Sequence, residues 1–342
     1  MKDKSLESIG EFGLINIIKK KFNSKNNDSL IIGIGDDAAV ISKSKDDYFL
    51  ISSDMLVEGI HFDLTYHPLK HLGYKSVTTN ISDIYSMNGF ANQITINLGL
   101  SNRFSLNAIE EFYKGVKIAC EEYNIDLVGG DTTSSKTGLI ISVSAIGNVL
   151  KNKLTLRKTA KKNDIICVSG DLGRSYIGLQ ILEREKSVFL TNPEMQPELS
   201  NYSDLIEKQL KPKARKDLIE KLSEFNIIPN SMIDISDGLA SDLIHLSVQS
   251  NLGVKIYEEK LPILKSTILT ANELNLNPTT CALNGGEDYE LLFSVNEKDY
   301  NMLKDNDIDI TSIGYFTSNK KFNLVSKEGE TISLKAQGWK HF

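Results

Sequence analysis

The chain has 342 residues and a net charge of −6, with the apolar and charged fractions of an ordinary globular protein and room for about two domains with full cores. The acidic balance argues against a nucleic-acid partner, which normally meets a basic face, and no segment has the unbroken apolar run of a membrane span or a signal peptide. Three scattered cysteines, Cys120, Cys167 and Cys281, read as reduced core thiols of a cytoplasmic protein and not as a disulfide or zinc framework.

Apolar residues at Phe12, Ile15 and Ile18 make Glu11 to Phe22 an amphipathic helix closed by Lys19 to Lys21, whose charges suit a helix C-terminus. Leu30 to Ile34, Ala38 to Ile41 and Tyr48 to Ser53 read as short buried strands, with Lys43 to Asp47 as a hairpin turn. Acids close two of these runs, in Gly33-Ile34-Gly35-Asp36-Asp37 and Ser52-Ser53-Asp54. Carboxylates converging at one sheet edge repel, so they are stable only when solvated or neutralised by cations. Hard oxygen ligands point to Mg²⁺. Taken singly, Asp-Asp and Ser-Asp also mark turns, so the metal reading requires the pattern to recur. Gly33 to Ala38 formally fits the G-x-G-x-x-G/A dinucleotide fingerprint, but β-type residues follow where a helix must open, and two carboxylates would face the phosphates.

From Pro68 a helix runs to about Asn88, before Gly89. Val77, Ile81, Ile84 and Asn88 share one side, and Ser76, Asn80 and Asp83 another. That second face is either a solvated surface or one built for close approach, since solvated faces favour long Lys and Glu. Gln93 to Leu100 alternates as a strand, and Leu106, Ile109, Tyr113, Val116, Cys120 and Tyr123 mark one stripe of a long helix. Asp126 to Val128 forms a short strand stopping at Gly129-Gly130-Asp131, a third acid at a strand end, where paired glycines let backbone approach a phosphate. Leu139 to Leu150 closes the first of two domains, expected at 1–150 and 151–342.

Lys151 to Lys162 holds six basic residues and reads as the inter-domain connection, within which Arg157 is placed to fork onto a phosphate. Ile165 to Ser169 is a strand leading through Gly170 to Gly173 into a helix, and further helices run from Asp204 to Phe225 around Lys211-Pro212-Lys213. Ser231 to Ile235 is a strand whose end carries Asp234-Ile235-Ser236-Asp237-Gly238 into a helix from Leu239 to Ser250. Asp237 alone could be an N-cap, but capping does not need Asp234. Asn284 to Tyr289 precedes a strand at Glu290 to Val295, and the chain finishes in short strands and Gly338-Trp339-Lys340-His341-Phe342.

The acids at segment ends, with the helical one, are Asp36, Asp37, Asp54, Asp83, Asp131, Asp234 and Asp237, a recurrence that independent turns do not account for. No P-loop, protein-kinase signature, H-E-x-x-H or nucleophile elbow is present. That leaves a polyphosphate site neutralised by several Mg²⁺ ions instead of lysines. These segments, with Gly10-Glu11-Phe12, His61-Phe62, Lys75, Asn80-Ile81-Ser82-Asp83, Gly285 to Glu290 and the Gly338 to Phe342 tail, resemble the thiamine-monophosphate kinase family of the aminoimidazole-ribonucleotide-synthetase superfamily.

The resemblance implies a two-domain α/β (α+β) fold, with an N-terminal sheet domain forming a dimer barrel and a C-terminal α/β domain completing the site. It implies a homodimer that uses Mg²⁺ and ATP to phosphorylate thiamine monophosphate by direct in-line transfer. By position, Asp37, Ser52, Ser53, Asp54, Asp83, Asp131, Asp234 and Asp237 match the family's magnesium ligands. Tyr113, Gly130, Asp131, Arg157 and Ser236 match its ATP contacts, and His61, Glu287 and Trp339 its substrate side. No general base is expected, because an acceptor phosphate with a second pKa of about 6 is largely deprotonated at neutral pH. Asn192 to Asn201 and Lys320 to Glu330 match nothing in the family pattern. The rivals are another enzyme of the superfamily, of the aminoimidazole ribonucleotide or selenophosphate synthetase type, and a non-catalytic nucleotide- or metal-binding regulator. A reactive N-terminal Cys would mark the selenophosphate enzyme, whereas the first cysteine here is Cys120.

Overall fold

The structure, a computed structural model, describes residues 6–22 and 27–336. Helix α1 (Leu6–Lys21) is broken at Gly10, whose φ of 62° leaves the helical region, so its regular part begins where the apolar spacing of Glu11 to Phe22 begins. β1 (Leu30–Ile32), β2 (Ala39–Ser42) and β3 (Asp47–Val57) follow as an antiparallel meander. The expected turn closes β2 onto β3, with the Lys43 and Ser44 N–H groups donating to the Asp47 carbonyl at 3.0 and 3.1 Å. α2 (Leu69–Ser86), β4 (Phe90–Leu100), α3 (Leu106–Tyr123), β5 (Asp126–Ser134) and β6 (Ile140–Leu150) complete a sheet of order β1-β2-β3-β6-β4-β5. Only β4 and β5 pair in parallel there among the described residues.

Two expectations change in this half. β5 does not stop at Gly129 but continues to Ser134 as an exposed edge strand, so Asp131 sits within the strand, opposite Asn97. On α3, Leu106 is 77% exposed, and the buried stripe is Phe112, Gly115, Val116, Ala119 and Tyr123. The stripe shifts because α3 meets α2 through small residues: a Cβ on Gly115 would lie 1.8 Å from the Lys70 carbonyl oxygen.

The second half runs β7 (Ile165–Ser169), α4 (Arg174–Thr191), α5 (Ser203–Leu210), α6 (Lys216–Glu224), β8 (Ser231–Asp234), α7 (Leu239–Gln249) and β9 (Gly253–Tyr257). It continues with α8 (Lys265–Glu273), α9 (Pro278–Asn284), β10 (Leu291–Val295), α10 (Glu297–Asp305), β11 (Ile310–Thr317), β12 (Phe322–Val325) and β13 (Thr331–Ser333). Its strands form a mixed sheet of order β13-β12-β9-β11-β7-β10-β8, giving the α/β architecture that the family resemblance implies. The closing stretch is not strands alone. α10 intervenes, its N-cap Asn296 accepting the Asp299 N–H at 3.0 Å.

α2 ties the halves together. Ser76, Asn80 and Ser82 are as fully buried as Val77 and Ile81, so its small polar face is not a solvated surface. Small side chains let it lie against β3 and β6 on one side and reach β8 and α5 on the other. One apolar cluster therefore runs from the first sheet through α2 to Cys167, Leu218, Leu291 and Phe293 of the second half. The three cysteines are unpaired, and no helix among the described residues is long and apolar enough to cross a membrane.

Candidate functional site

Alternation along β3 turns Ser52 and Asp54 to one face and Ser53 to the other. α2 crosses the first face with Asn80 and Asp83: the Asp54 N–H donates to Asn80 Oδ1 at 3.0 Å, and Ser52 Oγ donates to Asp83 Oδ2. Ser82 Oγ donates at 2.7 Å to Oδ2 of Asp234, where β8 ends. Asp37, in the β1–β2 connection, accepts from Arg157 Nε at 3.1 Å and from its Nη2. One carboxylate oxygen each from Asp37, Asp83 and Asp234 consequently lies within 4.8 Å of the others.

A single guanidinium does not balance this charge. Burial, then repulsion from Asp54, Asp234 and Asp37, drives the Asp83 carboxyl well above the usual carboxylate range, against the Ser52 hydrogen bond. Burial and Asp37 push Asp234 up to about 7, and burial and Asp37 push Asp36 up to about 6 while Arg157 opposes. Oδ2 of Asp37 is buried without a hydrogen-bond partner. An orphaned buried oxygen among mutually repelling carboxyls, all hard donors, fits a divalent cation of the Mg²⁺ type.

The remaining expected residues are placed unequally around this group. Asp237 is half-buried in the β8–α7 connection, and it does not cap α7. The N-cap is Gly238, whose N–H donates to Asp242 Oδ2 at 3.2 Å. Ser53 is turned away, its Oγ donating to the Val143 carbonyl at 3.3 Å and lying 3.0 Å from Ser144 Oγ. Asp131 stands apart from the three clustered acids on exposed β5, accepting its neighbour Thr132 N–H at 2.8 Å. The fork of Arg157 is engaged with Asp37, and its Nε lies 4.0 Å from Asp36.

Gly130 has a packing reason to be glycine, since a Cβ there would lie 1.9 Å from the Ile96 carbonyl oxygen on β4. Tyr113 is half-buried, edge-on to Phe112 with ring centroids 5.4 Å apart. With Val116, Cys120, Asn124 and Leu127 it lines a cleft of about 550 Å³ between α3 and β5. His61 Nδ1 accepts the Val57 N–H at 3.0 Å. The exposed Ser236 accepts the Glu287 N–H on its carbonyl at 2.7 Å, and Glu287 is held by Lys75 Nζ at 2.8 Å and Gln209 Nε2 at 2.7 Å. Trp339 lies outside the described residues.

Sequence reasoning missed Asp242, which lies buried near Asp237 and Asp234, its carboxyl raised well above the usual range by burial and then by those charges. An acid in a first helical turn reads as a favourable dipole partner, which concealed it. It also missed Glu290, buried between Lys208 at 2.6 Å, Arg215 at 2.7 Å and Ser169 at 2.6 Å. The signal available was an acid opening an otherwise apolar strand.

Comparison with known proteins agrees with this geometry. The family profile described as AIR synthase related protein, N-terminal domain, matches residues 35–149. A thiamine-monophosphate kinase of Aquifex aeolicus (strain VF5) is 35% identical over 338 residues, covering 98% of this chain and 99% of the relative. One from Buchnera aphidicola subsp. Schizaphis graminum is 38% identical over 342 residues, covering 97% and 99%. A solved structure described as AaThiL complexed with AMPPCP and TMP superposes with a TM-score of 0.85 at 32% identity, over 100% of both chains. Likeness of that extent and identity runs through both sheets, and this chain belongs to the thiamine-monophosphate kinase family.

Proposed function

We propose that this chain transfers the γ-phosphoryl group of ATP to thiamine monophosphate, yielding thiamine diphosphate. The observation that carries the chemistry is the convergence of Asp37, Asp83 and Asp234 within 4.8 Å, joined by Asp54 and Ser52 on the facing strand. Both reactants are anions, so the catalytic task is to bring them together and neutralise developing charge, not to withdraw a proton. Mg²⁺ bound by these acids would supply that neutralisation and hold the phosphoryl oxygens in line. Asp237 and, from β5, Asp131 extend the ligand set in this reading, with Ser52 and Ser53 contributing through water or backbone. Arg157 keeps Asp37 oriented and becomes available to a phosphate once cations take over the carboxylates.

The nucleotide is assigned to β5. From Leu127, in the Tyr113 cleft, to Asp131 is four residues, or about 13 Å of strand, close to the reach of a nucleotide triphosphate. Tyr113 would face the adenine, with Gly130 and Ser236 nearer the phosphates, while His61, Glu287 and Trp339 form the acceptor side. The exposed edge of β5, with Leu127 at 41% and Val128 at 57% exposure, supports a homodimer joined through the first sheet. The same reading divides the chain at about residue 150 and places the enzyme in the cytoplasm.

Incubation with Mg-ATP and thiamine monophosphate, followed by chromatography for thiamine diphosphate, tests the assignment. Free thiamine should be a poor acceptor, because its neutral hydroxyl must lose a proton and offers bound cations no anionic oxygen, whereas the phosphate of thiamine monophosphate is already ionised at neutral pH. Comparable turnover of free thiamine, or nucleotide binding without product, would overturn it in favour of a different acceptor or of a regulator.

A further inference from the structure

The Lys75 ammonium is completely buried on α2, the helix that also carries Asp83, and no sequence motif gives it a chemical task. A lone buried ammonium is costly, so its partners are informative. They come from the other half of the chain: Glu287 Oε1 at 2.8 Å and the Gln209 carbonyl at 3.4 Å. The pair is asymmetric, with the Lys75 side chain 1% exposed and the Glu287 side chain 28% exposed. The cation is hidden and the anion faces outward.

Glu287 is held with unusual firmness. Its φ is 56°, that of Tyr289 is 50°, and such left-handed conformations cost non-glycine residues on the order of 1–3 kcal/mol unless the surroundings impose them. Here they are imposed, because the Glu287 N–H donates to the Ser236 carbonyl at 2.7 Å and the Tyr289 N–H to the Ile235 carbonyl at 2.9 Å. Both acceptors lie between Asp234 and Asp237, so Glu287 is stitched to the acidic segment itself. Gln209 Nε2 holds Oε2 at 2.7 Å, while the adjacent Lys208 holds Glu290 three residues further on. Without Lys75, the Glu287 carboxylate would be one more like charge beside the acid group, free to protonate or swing into solvent.

We propose that Lys75 is a positioning residue for substrate recognition: it fixes Glu287 as an outward-facing negative charge that receives the cationic ring of the acceptor, and it does so from the helix that presents Asp83. This role rests on the reaction proposed above. A ring cation drawn to Glu287 leaves the acceptor's phosphate directed at the acid group a few residues away. Lys75 thereby couples recognition of the ring to placement of the phosphate.

The test is steady-state kinetics of the full chain with Lys75→Met, Glu287→Gln and the double variant, alongside thermal melting. Each single variant should raise the KM for thiamine monophosphate about tenfold, leave that for ATP within about twofold, and lose preference over an acceptor whose ring is neutral. The double variant should be no worse than the poorer single one, because both remove the same interaction. Equal rises in both KM values, multiplied effects in the double variant, or retained preference for the cationic ring would overturn the role and leave Lys75 a strut. Should Lys75→Met fail to fold, Gln209→Met loosens the same carboxylate without burying a lone charge, and an unchanged acceptor KM there overturns the proposal. Absence of product from the wild-type chain overturns the reaction, and this role with it, whereas normal wild-type turnover with unselective variants overturns the role alone.

Discussion

Asp83→Asn separates an electrostatic site from a structural one, because the two accounts predict opposite signs. Asp83 lies with Asp37 and Asp234 within 4.8 Å and accepts from Ser52. Asparagine keeps the shape and can still accept the Ser52 proton, so packing is preserved and one charge is lost. At that separation and an effective dielectric of about 20, each pair of like charges repels by about 3 kcal/mol. Proton uptake already relieves part of this in the metal-free protein, so the recoverable stabilisation is about 1–3 kcal/mol at pH 8. The metal-free variant should therefore melt a few degrees above wild type in a fluorescence or calorimetric scan. Turnover should fall about a hundredfold or more, and half-maximal activity should need more Mg²⁺, because a ligand charge is lost where the transferring group is stabilised. A folded variant with near-normal turnover and unchanged Mg²⁺ dependence would remove Asp83 from the site. A variant that melts lower without metal would refute the repulsion argument.

Other perturbations follow from the same structure. Asp234 and Asp36 have carboxyls raised from 3.8 to about 7 and about 6, so the folded chain binds more protons than the unfolded one between about pH 4 and 7. Their contribution to metal-free stability is full below that window and is lost as pH rises through it, so the melting-temperature gain on adding Mg²⁺ should grow from pH 5 to pH 8; a constant gain would contradict this. Gly130→Ala should cost about 1–3 kcal/mol in urea unfolding, because its Cβ meets the Ile96 carbonyl at 1.9 Å, whereas Gly129→Ala, whose Cβ meets Thr95 at an ordinary 3.9 Å, should be nearly neutral. Glu290→Gln should destabilise by about 3–5 kcal/mol, because it strands Lys208 and Arg215, both held within 2.7 Å and nearly buried; a change below 1 kcal/mol would show that water reaches them.

By itself the sequence determined what local patterning can encode. The alternation of β3, the Lys43–Asp47 turn, the Pro68 start of α2 and the recurrence of acids along short apolar runs were all legible, because period and turn chemistry are properties of neighbouring residues, although Asp54 lies inside β3 and not at its end. So was the family, whose motifs are contiguous segments. What the tertiary structure decided concerns facing and distance. Period two put Ser53 on the wrong face for its neighbours Ser52 and Asp54, and parallel pairing with β4 carried β5 past Gly129, leaving Asp131 within an exposed edge strand. The polar face of α2, legible as solvated or packed, proved buried because two sheets meet on it. For Asp242, Glu290 and Lys75 no local pattern says what partner each charge meets. Their charges acquire meaning only when the chain brings residues more than seventy positions apart, or a turn of helix and a strand end, into one low-dielectric place where each must find a partner.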